Sequence, residues 1–158
     1  MYIRKIVSKN LGPIKEIQLS LPFENGTPKP VVIVGENGTG KSTLISNVVD
    51  SFYEIAGAAY PDARKHGEIE GYEFYKTITP IEIHVGEKFL YSYIKYESLS
   101  GEIPSIDYVF KCGRISNEEF RQNCNDCSQQ ISWTDDENFK HATAVINIMK
   151  QQIMSILQ

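Results

Sequence analysis

The residues of this 158-residue chain with the plainest chemistry lie in one run, Gly35-Glu36-Asn37-Gly38-Thr39-Gly40-Lys41-Ser42-Thr43. The run satisfies G-x-x-x-x-G-K-[ST], a phosphate-binding pattern in which each fixed position has a physical role. Glycine at 35, 38 and 40 lets the backbone curl so that successive amide N–H groups converge on an anion, and the positive end of a following helix favours the same charge. Lys41 would bring a mobile ammonium to the β- and γ-phosphates of a nucleotide. The Ser42 hydroxyl would ligate Mg²⁺, an ion that keeps most of its octahedral shell as water and phosphate oxygen. Nucleotide binding is therefore the first expectation.

Such a loop must be launched by a strand and received by a helix. Before it, Val31-Val-Ile-Val34 reads as a short strand buried on both faces of a parallel sheet. After it, Leu44, Ile45, Val48, Val49, Phe52, Tyr53 and Ala56 recur at three- and four-residue spacing. Asp50 and Glu54 fall outside that stripe, which predicts an amphipathic helix over about 41–57.

The chain suits one domain, 1–158, and 41% apolar composition supports a real core. No apolar run approaches the ~20 residues of a membrane span, and the opening Met-Tyr-Ile-Arg-Lys-Ile-Val-Ser lacks a secretory apolar region, so a cytoplasmic chain with no membrane partner is expected. Twenty acidic against sixteen basic residues leave a net charge of −4, which gives the surface as a whole no attraction for nucleic acid or anionic lipid. Cys124-Asn-Asp-Cys127 has the C-x-x-C spacing of zinc or redox sites, with His141 as a further ligand on paper. Cys112 stands alone on an expected strand with no second tight pair, so reduced packing cysteines are the preferred reading.

Residues 2–8 and 14–21 read as strands of a hairpin joined by Lys9-Asn-Leu-Gly-Pro13, and Glu24–Pro30 as a second turn. Tyr60–Gly71 is polar and charge-mixed, an exposed loop. From 72 to 111 apolar residues alternate, with Ile81, Ile83 and Val85, then Phe89, Tyr91 and Tyr93, then Ile106, Tyr108 and Phe110, as in half-buried antiparallel strands. Their aromatics read as packing rather than base-stacking platforms. Thr134-Asp-Asp-Glu137 has capping-box spacing, and Phe139, Ala142, Val145, Ile146, Met149, Ile153, Ile156 and Leu157 recur at helical spacing, so a long helix is expected over 134–158. It either packs back on the sheet or is the stump of something longer.

The segment from Met1 to about Tyr60 resembles the amino-terminal part of the ATPase head of ABC-type chromosome and repair ATPases, the SMC-, RecF- and OLD-like AAA group of P-loop NTPases. Asn10-Leu-Gly-Pro13 between two strands, then Pro30-Val-Val-Ile-Val, then Gly35-Glu-Asn-Gly-Thr-Gly-Lys-Ser-Thr43 carry the resemblance, and the Glu36-Asn37 pair is characteristic of the group. It implies an α/β chain with α+β character. The parts would be a strand-loop-helix core and hairpin within 1–60, an antiparallel layer at 72–111 and the helix at 134–158. It implies ATP and Mg²⁺ as cofactors, with backbone cradling by residues 38–43, Lys41 on the β/γ-phosphates, Ser42 on Mg²⁺ and Thr43 on the α-phosphate. Gly35, Glu36, Asn37 and Thr39 complete the loop, Asn37 and Gly38 lie along the γ-phosphate side, and Lys9 and Asn10 are base-side candidates.

Such heads also need an LSGG-type signature, an apolar strand ending in Asp-Glu and a switch histidine. Val48-Val49-Asp50 lies inside the expected helix. Ile131–Glu137 has carboxylates without the apolar run, and its acids suit a helix start. Leu99-Ser-Gly101-Glu102 lacks the second glycine and precedes Pro104 and a strand. His66, His84 and His141 offer no switch context, and Gln122, Gln129 and Gln130 are glutamine candidates by position alone. The resemblance therefore implies Mg·ATP binding with negligible turnover by this chain, an amino-terminal portion whose partner is a second head in a homodimer or a C-terminal half-head. DNA would be a further partner, in repair, chromosome handling or phage defence. A complete small P-loop kinase or NTPase, and a non-hydrolysing nucleotide-gated interaction module, are the alternatives.

Overall fold

A computed structural model of the chain describes residues 1–59, 82–98, 105–113, 115–127 and 140–145. The expected loop at 60–71, strand positions 72–81, the 99–102 stretch, Gln129, Gln130, His66, and the helix residues 134–139 and 146–158 lie outside them. The chain opens with the expected hairpin, β1 (Tyr2–Leu11) and β2 (Ile14–Ser20), in register from Lys5↔Ser20 to Leu11↔Ile14 around Gly12-Pro13. A second, minimal hairpin, β3 (Phe23–Glu24) and β4 (Thr27–Pro28), turns on Asn25-Gly26, both at positive φ as a two-residue primed turn requires. Phe23 is fixed to the first strand by an edge contact with Tyr2 and by the Arg4 guanidinium 4.3 Å from its ring centre.

Helix α1 (Lys41–Ala59) follows the glycine loop, then β5 (Phe89–Glu97), β6 (Ile106–Gly113), the short α2 (Asn117–Asn123) and β7 (Lys140–Val145). Five strands form one antiparallel sheet in the order β2-β1-β5-β6-β7. Alternation along the strands divides the core into two layers. Ile6, Leu90, Ile94, Tyr96, Ile106, Tyr108 and Phe110 pack with Leu44 and Ile55 of α1, while Val7, Tyr91, Tyr93 and Val109 pack with Ile115, Phe120, Cys124 and Cys127. The central strands are thus buried on both faces rather than half-buried as expected, because each face has its own cover. Phe120 meets Tyr91 and Tyr93 edge-on, at centroid distances of 5.5 and 6.2 Å. With Tyr91, Tyr93, Tyr96 and Tyr108 fully buried, these aromatics are packing residues.

Three expectations are corrected. Lys140–Val145 is not helical but forms the outer strand, running from Asp107↔Val145 to Cys112↔Lys140. The free edge of β6 offers backbone partners that no local spacing reveals, and such a ladder overrides a short helical pattern. Helix α1 spans its expected residues but buries a different face: Ile45, Phe52 and Tyr53 are exposed, whereas Asn47, Asp50 and Ser51 are buried. Hydrogen bonding explains the rotation. Asn47 Nδ2 donates to Ser92 Oγ at 2.6 Å, Ser92 Oγ lies 2.8 Å from Ser8 Oγ, and the Ser51 hydroxyl bonds both Val48 O and the Tyr96 hydroxyl. Finally, Val31–Val34 is not a buried strand. It pairs with no strand among the described residues, and its residues are 44%, 83%, 39% and 86% exposed. A buried parallel strand needs neighbours on both sides, and the described sheet is antiparallel and lies elsewhere.

Cys124 and Cys127 close a turn, Cys127 N–H donating to Cys124 O at 3.2 Å, with both side chains in the α2-side core. Burial pushes the Cys124 thiol up to about 12, so it packs rather than reacts. Between them Asp126 accepts from Lys5 at 2.8 Å and lies 3.6 Å from Lys95. Partial desolvation opposes ionisation of Asp126, but the Lys5 hydrogen bond and the two ammonium charges outweigh it and hold the carboxyl below its ordinary value.

Two outcomes follow. Replacing Ser92 by Ala leaves Asn47 Nδ2 without this acceptor beneath α1 and costs about 1–3 kcal/mol in urea unfolding. Asp126 is acidified on folding, so its stabilisation is present above the unfolded aspartate pKa and is lost as pH falls through the lower folded one. The stability difference between wild type and Asp126→Asn, measured by denaturation from pH 7 downwards, shrinks below about pH 4.

Candidate phosphate-binding site

The glycine loop is held from three directions. Gly38 and Gly40 stand at φ of +83° and +96°, and the first in-helix bond of α1 runs from Leu44 N–H to Gly40 O at 2.9 Å. The amides of Lys41, Ser42 and Thr43 therefore precede the helical ladder, as groups that face an anion must. Within the loop Thr39 Oγ1 donates to Glu36 O at 2.9 Å. The Lys41 ammonium folds back over the loop and donates to Gly35 O at 2.8 Å and Glu36 O at 2.5 Å. Both bonds are solvent-exposed and made to neutral carbonyls, so an arriving phosphate, as a charged acceptor, would replace them with stronger ones.

The floor of the loop is the β1–β2 turn. A Cβ added to Gly40 would lie 2.5 Å from Ile14 Cγ1 and 3.2 Å from Pro13 Cγ, and one on Gly12 would lie 3.6 Å from the Thr43 methyl. Only a bare Cα at 40 lets the loop sit this low. A cleft of about 270 Å³ opens beside this contact, lined by Ile14, Lys15, Glu16 and Ile17 of β2, by Ile33 and Val34, and by Thr39, Gly40, Lys41 and Leu44.

Gly35 to Thr39 form an exposed loop, Gly40 is buried, and Lys41 and Thr43 are half-buried on the first turn of α1. Ser42 is exposed on the first turn of α1. Lys9 and Asn10 do not line the cleft. The Lys9 ammonium pairs with Glu119 of α2, a hydrogen bond that raises its pKa above the ordinary lysine value, and Asn10 is buried at the end of β1. Lys15 and Glu16, which sequence reasoning passed over, take the cleft-side positions. Gln122 is exposed on α2, against the sheet face opposite α1. His84, which has no switch context in the sequence, bonds the hairpin turn under the loop through its ring. Among the described residues no group of three or more His, Cys, Asp or Glu is arranged to hold a metal ion, and no helix is long and apolar enough to cross a membrane.

No protein-family model and no curated protein matches the sequence. Among solved structures, the chain is similar to one from work on ATP-driven dimerization and DNA-stimulated activation of SMC ATPases, at 16% identity and a TM-score of 0.43, over 99% of this chain and 78% of that one.

The two positive-φ glycines of the loop separate backbone cost from packing cost. A Cβ at Gly38 meets nothing within 4 Å, so Gly38→Ala carries only the left-handed backbone penalty, about 1–2 kcal/mol. Gly40→Ala adds the overlap with Ile14 and loses about 2–4 kcal/mol in urea unfolding.

Proposed function

We propose that this chain is the Mg·ATP-binding portion of an SMC-, RecF- and OLD-like ATPase head, and that hydrolysis is completed by a second half-head or a second head. The observation that carries the reading is the Gly35–Thr43 loop: complete in sequence, seated on the hairpin turn, and opening into α1 with Lys41 held, among the described residues, by exchangeable bonds to loop carbonyls. The glycine backbone and first-turn amides would take the phosphates, Lys41 the β/γ charge, Thr43 the α-phosphate and Ser42 the metal. Mg²⁺, when bound, supplies charge neutralisation of the phosphates. ATP rather than GTP, and DNA repair, chromosome handling or phage defence as the setting, rest on the sequence resemblance alone.

The exposed run Val31–Val34 favours this reading over a complete small kinase or NTPase. Its exposure alternates, Val31 and Ile33 half-covered and Val32 and Val34 bare, which is the period of a strand, and it pairs with no strand among the described residues. A neighbouring strand from the catalytic half would bury it and bring the carboxylates that phosphoryl transfer needs.

Titration calorimetry of Mg·ATP into the chain tests the site. Wild type binds, and Lys41→Ala binds about 10- to 100-fold more weakly through loss of a charge-assisted contact. Turnover by the chain alone stays far below the ~1–100 s⁻¹ of kinases. A Lys41→Ala chain that binds like wild type would remove the site, and turnover in that range would remove the need for a second half.

A further inference from the structure

We infer that His84 is a positioning residue for nucleotide binding, clamping the β1–β2 turn on which the phosphate loop rests; the inference rests on the ATP-binding reading above. Residues 82–84 run antiparallel to the end of β1. There Gly12 N–H donates to Glu82 O at 2.7 Å, His84 N–H donates to Asn10 O at 2.8 Å, and Leu11 faces Ile83. The His84 ring adds a further bond, with Nδ1 2.8 Å from Gly12 O. A carbonyl only accepts, so Nδ1 carries the proton and donates. One residue thus holds two carbonyls of one turn, Asn10 with its amide and Gly12 with its ring.

The turn needs such a hold. Asn10 and Gly12 stand at φ of +57° and +54°, and Asn10, 2% exposed, keeps a side-chain amide nitrogen with no hydrogen-bond partner among the described residues. A left-handed non-glycine residue with an unmet buried donor persists only where its surroundings over-determine it. Strand β5 does not supply that constraint, because its register with β1 ends at Lys9↔Tyr91. Beyond that point the Asn10 and Gly12 carbonyls are held by His84.

From the turn the constraint passes directly to the phosphate loop. Pro13 and Ile14, the next residues, press on Gly40, and Gly12 lies against Thr43. His84 would not touch the nucleotide. It acts through Gly12 on the height and tilt of the loop, which the converging amides require to be fixed.

The test is Mg·ATP calorimetry on the full chain as wild type, His84→Ala, His84→Asn, His84→Gln and Lys41→Ala. Asn places a side-chain N–H close to the Nδ1 position, and Gln carries it one carbon too far. His84→Asn is expected within about twofold of wild type, and His84→Ala and His84→Gln about three- to tenfold weaker, the worth of one hydrogen bond. His84→Asn binding as weakly as His84→Gln overturns the inference, as does His84→Ala binding like wild type. Should His84→Ala not fold, the Asn and Gln variants decide alone. If instead wild type fails to bind, or Lys41→Ala binds as wild type does, the ATP-binding reading falls and this inference with it.

Discussion

The contact between the Gly40 Cα and the side chains of Pro13 and Ile14 is the constraint on which the rest of the structure depends. A phosphate loop has little internal rigidity, since its glycines are chosen for freedom. Its shape must be borrowed from something packed beneath it. Here the lender is a hairpin turn at the corner of a five-stranded antiparallel sheet. The strand before the loop lends nothing within the described residues, because Val31–Val34 has no ladder there. Any side chain at 40 would lift the loop off its floor and move the amides of the first turn of α1 with it.

The second support is α1, whose seating is set by polar rather than apolar groups. Asn47 reaches Ser92, and Ser51 reaches Tyr96, through a layer otherwise made of Leu44, Ile55 and strand residues. Apolar contacts tolerate sliding, but buried hydrogen bonds do not, since a small rotation of the helix orphans donor and acceptor together. The pattern locks the azimuth of α1 and so the direction in which Lys41 and Ser42 emerge from its first turn. On the far face the sheet is stiffened by the α2 cover, where Lys5, Lys9 and Lys95 are answered by Asp126 and Glu119.

What could be read from the sequence was what is decided locally. The loop, the span of α1, the first hairpin and the alternation of β5 and β6 follow from turn residues and periodicity. What could not be read was decided by distant partners. The apolar stripe of α1 named the wrong face because Asn47 and Ser51 find hydrogen-bond partners 45 residues away in sequence. Lys140–Val145 became a strand because β6 had an edge to offer. Lys9 looked available at a turn but is spent on Glu119, more than a hundred residues on. One local signal marks the start of α2: Ser116-x-x-Glu119 has capping-box spacing, and Ser116 accepts from the Glu119 amide there. His84 carried no local signal, since its value lies wholly in the carbonyls it meets.

The bare run Val31–Val34 has a consequence for the behaviour of the chain in solution. Four exposed, uncharged residues, all β-branched, are a template for pairing with another copy of themselves. The residues just before them, Pro28-Lys29-Pro30, are the types that interrupt such pairing, two that cannot donate to a ladder and one cation, here tied to Glu24. The chain thus carries a gatekeeper on the N-terminal side of this exposed apolar run, a guard against self-pairing written into the sequence itself.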